Sequence, residues 1–285
     1  MELASNFVGK AKSYNANTNL TTLMQMYHQA LLNLTDISTV RPTVLTGAAT
    51  AESVLESSRN GAIINILWWM KLVLAIYFRD MDTTLFMIER LVIQNEDEVE
   101  DLGFIAPNTI PVVLWSVAYG ALTLWGETGR RKYLRVYRKY TKHLEKRWKD
   151  HVDCNHRLLL LRAEKSFLTG ARKHAVQTAY NEAIEAAENA GYMQEAALCC
   201  ERLGIYYLEQ HCDTRQADIY LRRAFYLYST WGAHTKCIQL KGNHDSLMGL
   251  GWGISDAGTN MGLPLDPADD SAFDKPKVEF GIVSI

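Results

Sequence analysis

Strand-type alternation of β-branched and polar residues is nearly absent from this 285-residue sequence, which excludes an all-β or doubly wound α/β reading. Proline is scarce, with 6 in the whole chain, so long helices meet few breaks. The five cysteines form no C-x-x-C pair, and the first residues are polar, with no secretory pattern. Reduced thiols in a cytoplasmic setting are the expectation. No charge of one sign dominates: a net charge of -2 gives no global attraction to nucleic acid or an anionic membrane.

Enzyme signatures are missing as well. There is no phosphate-binding G-x-x-x-x-G-K-[ST] loop, no G-x-S-x-G elbow, no H-E-x-x-H, and no kinase-type H-R-D or D-F-G run. His151, Cys154 and His156 stand close in sequence but lack a second ligand pair, so they read as a loop at a helix boundary. The expectation is a non-enzyme without cofactor or metal. Residues 62–78 are almost entirely apolar, yet the run is short for a bilayer and contains Asn65 and Lys71. A helix buried on most sides accounts for it.

What the sequence does contain is a repeat. Thr128-Gly129 and Thr169-Gly170 lie about 41 residues apart, and the His211-Cys212 loop follows at a similar interval. That register aligns Leu134, Ala175 and Ala217, then Ala183 with Ala224, then Ala190-Gly191 with Trp231-Gly232. A period of this size denotes paired antiparallel helices that bury their apolar faces by stacking. Helical periodicity places helices over residues 20–34, 51–58, 61–78, 83–94, 111–125, 130–148, 156–168, 172–190, 193–210, 214–230 and 234–248. The acidic run at 96–101 reads as a solvated linker or short helix, and Thr109 as a cap before Pro111. The expected fold is all-α, a right-handed superhelix of stacked antiparallel helix pairs, a tetratricopeptide-like solenoid. It would span residues 19–248, after a disordered segment at 1–18 and before a Gly/Pro-rich acidic tail at 249–285.

Two groups of residues are candidates for contact with a partner. The helix over residues 130–149 pairs an apolar stripe of Leu134, Tyr137, Thr141, Leu144 and Trp148 with a basic side. That side holds Arg131, Arg135, Arg138, Lys139, Lys142, Lys146 and Lys149, with Glu145 the only acid in the helix. Such a stripe fits an acidic protein partner, an anionic membrane or a nucleic acid, or else a solvated face paired with the acidic run at 96–101. Arg162, Lys165, Glu201 and Arg202 lie on the first helices of their pairs, which line the concave groove of such arrays.

Certain residues in the repeats go further than a generic hairpin pattern. They are Tyr180-Asn181-Glu182-Ala183-Ile184, Ala187, Ala190-Gly191-Tyr192, Glu195-Ala196-Ala197-Leu198 and Glu201. Tyr206-Tyr207-Leu208, Ala217, Tyr220-Leu221, Ala224, Tyr228, Trp231-Gly232-Ala233, Lys236 and Leu240 continue the pattern. Residues 156–240 resemble the end of the tetratricopeptide-like region of very large signalling multi-kinases, and residues 27–149 do so more weakly. In that family a serine/threonine kinase-like domain and a predicted P-loop ATPase precede the helical array, and a GAF sensor and histidine kinase follow. The resemblance implies a regulatory, non-catalytic scaffold in signal transduction, with a kinase or ATPase module as partner. A segment of a larger signalling ATPase or kinase polypeptide is the alternative. Membrane or nucleic-acid binding through the basic helix is a third.

Overall fold

The computed structural model describes residues 18–36, 41–45, 61–93, 109–149, 151 and 153–248, and within them the chain is helical with no strand. The helix expected at 51–58, the acidic run at 96–101, the segment at 1–17 and the tail at 249–285 lie outside the described residues. In chain order the helices are α1 (Thr18–Thr35), α2 (Gly61–Phe78), α3 (Met81–Ile88), α4 (Ile110–Thr128) and α5 (Arg131–Trp148). They continue as α6 (Asn155–Leu168), α7 (Lys173–Asn189), α8 (Met193–His211), α9 (Thr214–Trp231), α10 (His234–Asn243) and α11 (Asp245–Met248).

Two expected helices differ from a single rod. The one over 83–94 is α3 followed by a π-helical turn, Glu89–Ile93. The turn sets the Arg90 guanidinium 4.4 Å from the Phe86 ring centre and 5.3 Å from that of Trp68. The one over 234–248 breaks at His244, just after Gly242-Asn243, both weak helix formers. Thr109 does hold the N-cap position of α4, but its side chain makes no capping bond there.

Consecutive helices form hairpins: α2 with α3, α4 with α5, α6 with α7, and α8 with α9. The first helices of neighbouring hairpins also touch, α2 against α4, α4 against α6, and α6 against α8. Close approach needs small residues at the crossings. A Cβ added at Gly204 in α8 would lie 2.8 Å from Leu221 Cγ of α9, so the bare backbone sets that spacing.

Helix α2 is the apolar run of the sequence, and it is internal. Leu67, Leu72 and Ala75 have no exposed surface, and Trp69 Nε1 donates to Ser116 Oγ of α4 at 3.1 Å. Burial of each large side chain stabilises by roughly 1.5–3 kcal/mol. Among the described residues one helix, α4, is long and apolar enough to cross a membrane, and 67% of its apolar window is buried inside the fold.

Helix α10 returns to the start of the array. α10 packs on α9 and also on α1 and α2. Gln239 Nε2 donates to the Phe78 carbonyl at 2.6 Å and Thr235 Oγ1 to the Asp36 carbonyl at 2.8 Å. Both acceptors sit at helix C-terminal ends, where carbonyls lack partners within their own helix. Tyr77 of α2 packs edge-on against Tyr228 at 6.4 Å and, with the rings tilted by 39°, against Trp231 at 5.5 Å.

Asp80 joins three segments. Its Oδ1 accepts from Thr83 N at 2.9 Å, capping α3, while Oδ2 accepts from the Thr43 and Thr83 hydroxyls, each at 2.7 Å. Burial raises the carboxyl's pKa, but these hydrogen bonds outweigh it and hold the value below the ordinary one. A lowered folded pKa means the stabilisation is complete above the unfolded value of about 4 and disappears as pH falls through the folded value. Asp80→Ala is therefore expected to cost about 1–2 kcal/mol at neutral pH. The gap in urea midpoint between native and variant should close below about pH 4.

Candidate functional site

The basic side of α5 is on the surface, and the helix turns a tyrosine face inward. Buried are Tyr133, Tyr137, Tyr140, Thr141 and Leu144, whereas Leu134 and Trp148 of the expected stripe are half-buried. Tyr137, Thr141 and Leu144 of the expected stripe are in the buried seam, and Tyr133 and Tyr140 complete it in place of Leu134 and Trp148. Tyr133 also has a polar anchor, its hydroxyl donating to Glu89 Oε1 at 2.7 Å, and Lys132 pairs with the same carboxylate.

Arg131, Arg135, Arg138, Lys139 and Lys142 are all exposed. Arg131, Arg135, Arg138 and Lys142 follow at i, i+4, i+7 and i+11, which sets them along one side of the helix. They make no hydrogen bond or ion pair within the described residues, and Lys139 lies 5.9 Å from the Tyr140 ring centre. The helix's one acid, Glu145, is taken by Arg162 of α6 at 3.3 Å, a pair with both partners about half exposed. Among the described residues no acid pairs with Arg131, Arg135, Arg138, Lys139 or Lys142. Like charges at i,i+4 destabilise a helix by about 0.2–0.5 kcal/mol per pair. Arg131 and Lys132 also stand in the first turn, where no acid is present and the helix dipole disfavours cations.

The residues expected to line a groove separate into two sets. Arg162 and Lys165 are exposed on α6. Glu201 and Arg202 are not surface residues at all: they are 2% and 5% exposed, inside a chain of buried ion pairs. Arg202 forks onto Glu164 of α6 through Nε and, at 3.2 Å, through Nη2, and Tyr119 of α4 donates to the same carboxylate at 3.0 Å. Burial disfavours the Arg202 charge, but Glu164 outweighs it and lifts the guanidinium's pKa. Glu201 accepts from Lys236 Nζ of α10 at 2.8 Å and from Tyr228 of α9 at 2.9 Å. A third pair, Arg157 with Glu195 at 2.7 Å, joins α6 to α8, and Arg157 lies 4.8 Å from the Tyr192 ring centre. On α8 the residues expected to meet a partner meet other helices of the chain, while on α6 they face outward.

A sequence signal for these pairs exists. Arg157–Glu195 and Glu164–Arg202 are each separated by 38 residues, and Glu201–Lys236 by 35, close to one repeat. Opposite charges one repeat apart on successive first helices mark an internal ladder.

His151, Cys154 and His156 do not converge. His156 is buried and stacks on Tyr192 at 4.4 Å, while His151 lies 3.6 Å from Asp153. No group of three metal-ligating side chains occurs among the described residues. All five cysteines are free, and four of them, Cys154, Cys199, Cys200 and Cys237, are buried. Burial pushes the Cys154 thiol up to about 11 and the Cys200 and Cys237 thiols up to about 12. Cys212 is exposed at the end of α8. A thiol reagent at neutral pH should then label Cys212 alone in the folded chain and all five cysteines after denaturation, as peptide mass mapping would show. Rapid native labelling of Cys154 or Cys237 would contradict this burial.

No family model, curated protein or solved structure matches this chain.

Proposed function

We propose that this chain is a non-catalytic helical-repeat scaffold whose partner is an acidic protein segment held on the outer, basic side of α5. The observation that carries the reading is the charge pattern of α5. Arg131 opposes the helix dipole in the first turn, and Arg131, Arg135, Arg138 and Lys142 repel one another and find no acid among the described residues, so they lower the stability of the helix that bears them. An acidic partner turns that cost into binding.

The helix order supports a tetratricopeptide-like solenoid: antiparallel hairpins follow one another, and their first helices stack in sequence. The right-handed superhelix of such arrays is part of the proposal. So is the setting that the resemblance to multi-kinase repeats implies, a cytoplasmic regulatory region working beside a kinase or ATPase module. In an open solenoid the first helices bind the partner. Here those of α6 and α8 are joined by buried salt bridges, which moves the contact surface outward to α5.

The test is a titration of the purified chain with a fluorescent poly-glutamate peptide at low salt. Binding that weakens steeply as salt rises supports the reading, since exposed charges are screened within about 10 Å at 0.1 M. Two outcomes contradict it: absence of peptide binding at low salt, or tighter salt-sensitive binding to single-stranded RNA or to phosphatidylserine vesicles than to the peptide.

A further inference from the structure

The turn from α2 to α3 differs from most other turns of the array. Elsewhere the left-handed backbone falls on glycine: Gly129, Gly170, Gly191 and Gly232 have φ between 64 and 90°. At this turn it falls on Arg79, with φ 52°, and the other exception is the exposed Cys212. Glycine adopts this conformation at less steric cost, so the backbone alone gives no reason for arginine. The side chain borders a cavity between α2, α3 and α4 that Arg202 of α8 also lines.

The donors around that cavity can be counted. The Thr84 and Thr123 hydroxyls give their protons to the Asp80 and Tyr119 carbonyls, at 2.8 and 2.9 Å. Tyr119 gives its own to Glu164. Two donors are left. Arg202 Nη1 is buried without a partner, because Nε and Nη2 already hold Glu164. The half-buried Arg79 guanidinium makes no hydrogen bond or ion pair to any described residue.

The charges are equally one-sided. Glu164 is committed to Arg202, and Glu201 to Lys236 and Tyr228. Asp80 spends its oxygens on Thr43 and Thr83, so Arg79 is the cation left without a carboxylate partner among the described residues. After burial and the opposing pull of Glu201, its field further lowers the pKa values of Lys236 and His244. A buried guanidinium N–H edge without a partner and a second arginine lining the same cavity suit an anion. The cavity has about 10 Å³, room for one water or one monatomic ion and too little for a phosphate or sulfate.

We infer that this cavity is a halide site, with chloride held between Arg202 Nη1 and the Arg79 guanidinium. Arg79, at the surface end, is the entry side. The bound ion neutralises the surplus charge beside the buried pairs and ties the α2–α3 turn to α8. This site is independent of the acidic partner proposed for α5.

Thermal unfolding of the purified chain at fixed ionic strength tests it, with gluconate replaced stepwise by chloride or bromide. The expected result is a saturable rise in Tm, of a few degrees at about ten times the dissociation constant. Arg79→Gly keeps the turn and removes the guanidinium. It should melt in gluconate no lower than the native chain and lose the halide response, while Arg79→Lys should retain a weaker one. A chain with Arg131, Arg135, Arg138 and Lys142 changed to glutamate should keep the response in full. A native response of the same size in Arg79→Gly, no halide response in the native chain, a larger response to sulfate than to chloride, or loss of the response with the α5 charges would each overturn the inference. Crystals soaked in bromide should show an anomalous peak beside Arg202 Nη1, and an empty cavity at saturating bromide would also overturn it.

Discussion

Glu164→Gln is expected to destabilise the chain by about 3–5 kcal/mol, a large fraction of the roughly 5–15 kcal/mol that holds a domain together. The substitution changes little in shape. It removes the charge that Arg202 faces in a site where Arg202 is 5% exposed and Tyr119 also depends on the same carboxylate. A buried guanidinium stripped of its partner can neither reach water nor lose its proton, so the whole desolvation cost falls on the folded state. The measurement is the urea midpoint, converted through the native m-value. Two further variants separate charge from packing. Glu145→Gln, in the exposed pair with Arg162, should cost less than about 1 kcal/mol. Replacing the buried group as a set, with Glu164→Leu, Arg202→Leu and Tyr119→Phe together, should recover most of the stability lost in Glu164→Gln. A Glu164→Gln midpoint equal to the native one would mean that Arg202 is solvated and the inner face open.

Reversing the α5 charges should have the opposite profile. With Arg131, Arg135, Arg138 and Lys142 changed to glutamate, no hydrogen bond or ion pair of the described residues is lost. The first turn gains an acid where the dipole favours one, and repulsion between basic neighbours is relieved. Stability should stay within about 1 kcal/mol of native or rise slightly. Binding to an acidic peptide should fall steeply. Each exposed pair contributes about 0.2–1 kcal/mol, so four lost together reduce affinity roughly fourfold to 700-fold before any new repulsion is counted. Paired changes Arg162→Glu and Lys165→Glu on α6 should have a much smaller effect. Equal losses from the α5 and α6 variants would point to diffuse electrostatics rather than a surface on α5.

Helices and their hairpins could be read from the sequence because apolar periodicity and turn glycines act within a few residues of one another. Expected and observed ends of α6, α7, α8 and α9 agree to within one or two residues. Long-range partners were not readable in the same way. Glu201 and Arg202 look solvated when α8 is considered alone, since a charge on a helix ordinarily faces water. Their partners are on α6 and α10, and only the folded chain brings these together. The return of α10 onto α1 is less legible still, because Thr235 and Asp36 are 199 residues apart and no local pattern links them. Arg79 gave no sequence signal either; its interest comes from the backbone angle and from a cavity completed by a distant helix. The basic side of α5 was legible because exposure, charge and periodicity all belong to one helix.

A partner bound on the outside of α5, and not on the first helices of the array, brings its carboxylates beside the α5 lysines. The most direct measurement is carbodiimide crosslinking of the native chain to the poly-glutamate peptide at low salt, with the linked lysines identified by mass spectrometry. Crosslinks are expected at Lys139, Lys142 and Lys146 and should be lost when the salt is raised. Crosslinks concentrated at Lys165 and absent from α5 would contradict contact on α5, and would return the binding surface to the inner helices.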